Sequence, residues 1–439
     1  MHPLLGRRAL LGLPFLAFAQ GNGKDARAVE EVRAGRRKVA NAAWWGFDPQ
    51  DSTAALQAAL DSQAPAVVVP YMGAPWVVTP LQLRSHQEVL FEPGVLVLAK
   101  KGEFRGRGDS LFTASGVENL TIRGYGATFR MHKRDYQKPP YEKAEWRMGL
   151  SLRGVKQVRV EGLRIESTGG DGFYIDGGAG RAWSEDMVLR DCVAHDNHRQ
   201  GLSVISAQRL LVEHCRFSAT SGTPPEAGID LEPDTEEQRL SDITIRNCVF
   251  ENNHGHALLV YLRPLSRKSA PVSIRVERCL SRMSEGETHG WAGYAIGTAK
   301  DDGPQGLIEL VECVAEHTGR EGLKVFDKSA GSVKVRAERC HWKDPWNAPA
   351  PEYGGPRAPV LVELRRAELT KEPGGLEFAD CYVYDSAPRP AVQYEDATES
   401  APLVDVAGRI LVRDAETARP RLGTRTRGVN LRVESLPST

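Results

Sequence analysis

One motif recurs along the chain: an alternating apolar run, then an acid, base or amide, then cysteine. It reads MVLRDC at 187–192, LLVEHC at 210–215, ITIRNC at 243–248, IRVERC at 274–279, IELVEC at 308–313, VKVRAERC at 333–340 and LEFADC at 376–381. All seven cysteines close such a run, at intervals of 23, 33, 31, 34, 27 and 41 residues. A repeat of about 20–50 residues marks a stacked chain, in which each unit buries its apolar side against its neighbours. The units here are strand-like, so the stack is a coil of β-strands. The 439 residues, enough for two or three ordinary domains, therefore read as one elongated all-β domain. An odd number of cysteines, one per repeat, is a poor disulfide framework. It suits a column of small buried thiols. No C-x-x-C pair occurs, so the cysteines give no support for zinc or another metal.

A second strand motif alternates with the first and usually follows glycine: GLSLR (149–153), GFYID (172–176), GLSVI (201–205), GIDLE (228–232), ALLVY (257–261) and GLKVF (322–326). Its second and fourth positions are apolar throughout and must point into the coil, because side chains alternate across a strand. The third and fifth positions then form two outward columns: Ser151, Tyr174, Ser203, Asp230, Leu259, and Arg153, Asp176, Ile205, Glu232, Tyr261.

The 57 basic and 57 acidic side chains cancel. That leaves no electrostatic reason to expect nucleic acid or an anionic membrane as partner. Arg7 and Arg8 precede the apolar run Ala9–Ala19, which ends in the small-x-small triplet Ala17-Phe18-Ala19. Residues 1–19 read as an export signal, giving a periplasmic or extracellular protein with no membrane attachment once it is removed. Residues 20–43 read as a linker, 44–397 as the coil with an N-terminal cap, and 398–439 as the end of the coil or a tail. The cap is a short helix within WWGFDPQDSTAALQAALDS (44–62), started by Asp51 or Ser52, which plugs the open apolar end.

The coil pattern, capping helix and export signal resemble the right-handed parallel β-helix repeat proteins of the pectate-lyase-like superfamily, across roughly residues 44–395. GGDGFYID and NHGHA are distantly similar to the N-T-D-G and G-H-G segments of polygalacturonase-type glycoside hydrolases. The resemblance implies an enzyme acting on, or a protein holding, a long carbohydrate chain laid along the outer face. The catalytic roles of that family are not carried over, because its Asp-Asp pair and R-I-K motif have no counterpart at the matching places.

Carboxylates crowd the outward positions of the middle windings. Asp230 and Glu232 lie two apart on one strand, about 6.6 Å at ~3.3 Å per residue. Asp176 and Glu232 lie two levels apart in one column, about 10 Å. Inverting glycosidases hold their carboxyl groups roughly 6.5–9.5 Å apart, leaving room for the attacking water. Asp176, Asp230 and Glu232 are therefore the expected catalytic residues, one carboxyl protonated beside a charged neighbour and the other activating water. Asp171, Tyr174, His198, Arg199, His256, Trp146 and Arg147 are the expected substrate contacts. Trp146 offers a ring face to a sugar, and the others offer hydrogen bonds. The turn residues Asn197 and Asn253 are expected to bond neighbouring backbone. The function that follows is hydrolysis of a polysaccharide by an exported, monomeric enzyme that needs no cofactor. Calcium ligation by the same carboxylates, β-elimination by a polysaccharide lyase using Arg153, Arg199 or Lys324, and a non-catalytic glycan-binding protein stand as alternatives.

Overall fold

A computed structural model describes residues 23–436, apart from 286, 288, 347–356, 367, 388, 398–400, 414–419 and 424. The expected export signal lies outside the described residues. Each winding contributes three strands, and every ladder between windings is parallel. One ladder of eleven strands stacks the glycine-led segments, from Leu81–Gln82 through Phe173–Asp176, Leu202–Val204 and Ile229–Leu231 to Val392–Asp396. A second stacks the strands that lead into the cysteines, such as Ser184–Arg190 and Ala207–Glu213. A third stacks the short strands that follow them, such as Val193–His195 and Arg216–Ser218. The protein is a parallel β-helix, as the repeat requires.

The cysteine motif is the corner between the second and third ladders. The residue before each cysteine (Asp191, His214, Asn247, Arg278, Glu312, Arg339 and Asp380) has a left-handed backbone, with φ between 49° and 56°. Such a φ is uncommon outside glycine and easiest for Asn and Asp, and unbranched polar residues tolerate it better than β-branched ones. The chain then turns inward, and all seven cysteines are buried and free. Each Sγ lies near two carbonyls. For Cys192 these are Arg190 at 3.2 Å and Val160, one winding back, at 3.5 Å. A larger side chain at this corner would push the windings apart.

Leu150, Leu152, Phe173, Ile175, Leu202, Val204, Ile229, Leu231, Leu258 and Val260 all enter one continuous core, so the inward positions are as expected. Stacked rings continue the core along the axis, for example Phe217 over Phe250 at 5.8 Å. The N-terminal cap is also present. Thr53–Leu60 is helical, Asp51 Oδ1 accepts from the Thr53 backbone, and Leu56, Ala59 and Leu60 are buried against the first windings. One boundary differs from expectation. Residues 20–43 are not a plain linker: Ala26–Arg33 is a helix capped by Asp25, and Val39–Asn41 already pairs with Ala66–Val69. Its sequence is too polar for the helix to announce itself, since only Ala28, Val29 and Val32 are buried. At the other end, Leu403–Val412 and Thr426–Ser435 continue the ladder, which is the end of the coil rather than a tail, one of the two readings of 398–439.

The charge balance has a structural origin. Arg123, Glu161, Arg190, Glu213, Arg246 and Glu277 occupy successive levels of one outer column with alternating sign. Glu213 accepts from Arg190 and Arg246 together, which outweighs the effect of burial and holds its carboxyl below the usual range. Asn197 and Asn253 behave as turn residues. Asn197 Oδ1 accepts from Thr168 Oγ1 at 2.9 Å, and Asn253 bonds the Thr220 and Phe217 backbones.

Candidate active site

The outward columns of the glycine-led ladder are registered as the alternation requires: Ser151, Tyr174, Ser203, Asp230 and Leu259 face one another level by level. They do not lie open to solvent. Three segments fold over them. The loop before Gly149 brings Arg147 into a bridge with Gly169. The turn at 219–226 places Gly222 against the ring of His198. The segment after Glu232 sends Gln238 Nε2 to Asp176 Oδ1 at 3.1 Å.

Under this cover the structure gathers Asp171, Arg199, Gln200, Ser203, Asp230 and Glu232. Asp171 and Asp230 are 0% and 1% exposed. Among the described residues Arg199 is the cation paired with them: Nη1 lies 3.8 Å from Asp171 Oδ2 and Nη2 lies 3.6 Å from Glu232 Oε2. Asp230 Oδ2 accepts from Gln200 Nε2 at 3.0 Å. Several polar atoms here have no hydrogen-bond partner: both oxygens of Asp171, Asp230 Oδ1, Ser203 Oγ and Arg199 Nε. Buried polar groups are almost always satisfied in folded proteins, so this concentration marks a place kept for something else. The contrast with Glu213, held between two arginines, is direct.

The electrostatics separate the carboxyls. Burial raises Asp171 to about 6 against the opposing pull of Arg199. Burial and the adjacent Glu232 push Asp230 well above the ordinary carboxylate range. Arg199 loses hydration by burial, but Asp171, Asp230, Glu232 and Glu145 outweigh that and keep it charged. The centre therefore holds a carboxyl that burial and Glu232 bias towards its protonated form (Asp230), one raised to about 6 (Asp171), a more accessible one at the mouth (Glu232) and a charged guanidinium.

The other expected residues divide. Asp176 is not part of this group. It accepts from Tyr174 Oη at 3.1 Å, the Gly177 backbone at 2.6 Å and Gln238, and Arg153 lies 3.4 Å away. Ile205 fills the column between it and Glu232, packed with Tyr174 and Met148. Asp176 and Tyr174 form a satisfied network that ties down a turn, apart from the carboxyls around Arg199. Arg147 also stands apart from them. It is wholly buried, donates to the carbonyls of Phe104, Arg105 and Glu142, and lies over the rings of Tyr136 and Tyr141. It organises the covering loop and cannot meet a substrate. Trp146 remains exposed with Arg107 over its ring at 4.9 Å. His198 is buried under the 219–226 turn, contacts Thr223 Oγ1 at 2.9 Å, and burial beside Lys133 and Lys143 lowers it to about 4. His256 is buried further along the same face, against Trp291 at 5.0 Å. Sequence reasoning missed Gln200 and Ser203. Ser203 stands in the outward column one level from Asp230, and Gln200 directly precedes the glycine-led strand one level from Asp171.

Comparison with known proteins agrees on the fold. Residues 144–267 match the right-handed β-helix region family. The chain is 26% identical over 221 residues to the SPβ prophage-derived uncharacterized protein YorA of Bacillus subtilis, covering 47% of this chain and 36% of that protein. It is 25% identical over 159 residues to the uncharacterized protein YclG of the same organism, covering 33% and 27%. The chain thus spans about a third of the length of the curated relatives it matches. Among solved structures, the A-module of the mannuronan C-5 epimerase AlgE4 of Azotobacter vinelandii superposes with a TM-score of 0.60 at 16% identity, over 91% of this chain and 100% of the other. A family 28 exopolygalacturonase of Yersinia enterocolitica gives 0.62 at 12% identity, over 91% and 79%. The class defined by fold and repeat is the right-handed parallel β-helix.

Proposed function

We propose that this chain is a carbohydrate-active enzyme that hydrolyses glycosidic bonds in a polysaccharide, with its centre at Asp171, Asp230 and Glu232 around Arg199. The observation that carries the proposal is the set of unequal carboxyls on the outer face: Asp230 is biased towards its protonated form, and Asp171 and Glu232 stand on either amino group of one guanidinium. Asp230 donates its proton to the leaving oxygen as the bond breaks. Glu232 or Asp171 takes a proton from the attacking water. Hydrolysis between a proton-donating and a water-activating carboxyl corresponds to inversion at the anomeric carbon. Arg199 closes the centre and swings aside when the sugar enters, its charge then steadying the carboxylate left behind. The neighbouring folds in AlgE4 and the exopolygalacturonase support a polysaccharide as the class of substrate. Export, and action without a cofactor, belong to the same proposal.

A β-elimination needs a base that gives up its proton near neutrality. Arg199 is held charged by its carboxylate neighbours, which favours hydrolysis over a lyase built on Arg199. The test is digestion of a panel of acidic and neutral polysaccharides, with reducing ends counted and ultraviolet absorbance followed. The proposal expects new reducing ends with no unsaturated product, and a loss of at least about 100-fold in Asp230→Asn and Glu232→Gln. Unsaturated products would show a lyase. Binding with no turnover of any polymer would show a glycan-holding protein.

A further inference from the structure

One side chain in the candidate centre has its orientation fixed from outside it. The residues that directly precede the glycine-led strands stack in a column, Asp171, Gln200, Ala227 and His256. The backbone N–H after each of the first three donates one winding on: Gly172 to the Gln200 carbonyl, Gly201 to Ala227 and Gly228 to His256, each at 3.0 Å. Gln200 is the amide of this column and is wholly buried. The Ala227 backbone N–H, one winding on, donates to Gln200 Oε1 at 2.7 Å. A backbone N–H only donates, so the carbonyl end of the side chain has to face it. The other end, Nε2, is thereby turned to Asp230 and donates to Oδ2 at 3.0 Å.

An amide NH2 also only donates. Asp230 Oδ2 is therefore committed as an acceptor. Oδ1 is buried and has no hydrogen-bond partner, and it is the oxygen left to carry a proton. The charged groups that bear on this carboxyl are Glu232, two residues along the chain, Arg199 beside Gln200, and Asp171 one winding further back. The next winding presents Leu259, which is uncharged. Burial and Glu232 favour the protonated form, whereas an N–H aimed at a carboxylate favours the charged one. Gln200 thus keeps the proton transferable as well as placed.

We propose that Gln200 is a positioning residue for the acid step: its amide, itself oriented by the Ala227 backbone, takes Asp230 Oδ2 and leaves Oδ1 as the oxygen that hands the proton to the leaving group. As the bond from the anomeric carbon to the leaving oxygen breaks, its electron pair stays on that oxygen, which takes the Oδ1 proton. The attacking water supplies the new bond to carbon and gives a proton to Glu232 or Asp171, so atoms and charge balance. The carboxylate left on Asp230 already faces an N–H, and that bond strengthens as the charge develops. The inference rests on Asp230 being the acid of the proposed hydrolysis, but the orientation of its carboxyl is readable without any substrate.

The experiment is infrared difference spectroscopy across pH, wild type against Asp230→Asn, which isolates the C=O stretch of the protonated residue 230. The same difference is taken in Gln200→Met and in Gln200→Leu. Two variants guard against one failing to fold, and circular dichroism checks each. With the proton on Oδ1, the C=O is Oδ2, and it loses its donor when the amide is removed. The stretch should therefore move to higher wavenumber, and the pH at which it disappears should rise by about 1 unit or more. A side chain that serves only to satisfy the Ala227 N–H would move neither. In turnover of a polymer that wild type cleaves, kcat should fall about 10-fold, KM should stay within about two-fold, and the alkaline limb of the pH profile should shift upward. A stretch unmoved in frequency and midpoint in a folded variant, or a midpoint that falls, overturns the positioning role. Cleavage that is lost in Asp230→Asn while the stretch stays unmoved in Gln200→Met refutes this inference alone. A stretch that moves as expected in a protein that cleaves nothing refutes the catalytic reading alone.

Discussion

Replacing Asp171 by asparagine should stabilise the protein, and only above a definite pH. The Asp171 carboxyl is fully buried, its oxygens lack hydrogen bonds, and burial raises it from an ordinary 3.8 to about 6. In the unfolded chain it ionises near its ordinary value. The native state therefore prefers the protonated form. Its full contribution is present below the unfolded value and is lost as pH rises through about 6. Each pH unit of displacement is worth about 1.36 kcal/mol, so wild type loses about 3 kcal/mol from this one group by neutrality. An asparagine of nearly the same shape does not ionise, and Arg199 keeps Glu232 as partner. Urea unfolding of both proteins, followed by tryptophan fluorescence, reads the difference. Near pH 4 the two should differ little; near pH 7.5 the variant should be more stable by up to about 3 kcal/mol. Other titrating groups are common to both proteins and largely cancel. A difference that stays constant from acid to neutral pH, or that favours wild type as pH rises, would refute the argument that Asp171 is a desolvated carboxyl.

Three further outcomes follow from the geometry. Asp176→Asn should keep turnover within a few-fold of wild type while Asp230→Asn loses at least about 100-fold, since only Asp230 stands in the unsatisfied group; equal losses in steady-state assays would put Asp176 back in the centre. All seven cysteines are buried and free, so a thiol reagent should titrate none quickly in native protein and seven after denaturation. Arg147→Ala strands three carbonyls beneath the covering loop and should cost at least about 3 kcal/mol of stability in urea melts, without weakening oligosaccharide binding in the folded fraction.

Much of the architecture was legible because the repeat and the alternation are properties of the backbone. The apolar positions of GFYID and GIDLE had to point inward, and the cysteine corner needed a residue able to adopt positive φ followed by a small buried one. The outward direction of Asp230 and Asp176 was legible for the same reason. What alternation cannot give is the cover. It places a side chain outside the core without saying whether a loop then buries it, so Asp176, netted by Tyr174 and Gln238, looked equivalent to Asp230, which is left unsatisfied. Arg147 lies in a loop with no periodicity, and nothing local distinguishes a guanidinium that holds carbonyls from one that meets a ligand. Gln200 draws its meaning from neighbours one winding away, a spacing set by turn lengths that vary from repeat to repeat. The helix Ala26–Arg33 escaped notice because most of its residues face solvent.

The most direct test is a crystal structure of Asp230→Asn soaked with the oligosaccharide that wild type cleaves. A sugar chain should lie along the outward column of Ser203, Asp230 and Leu259, with the oxygen of the bond to be broken against residue 230 and Arg199 displaced from Asp171 and Glu232. A chain bound on another ladder, or one that reaches Asp176 while Asp171 and Asp230 stay sealed beneath Arg199, would contradict the account.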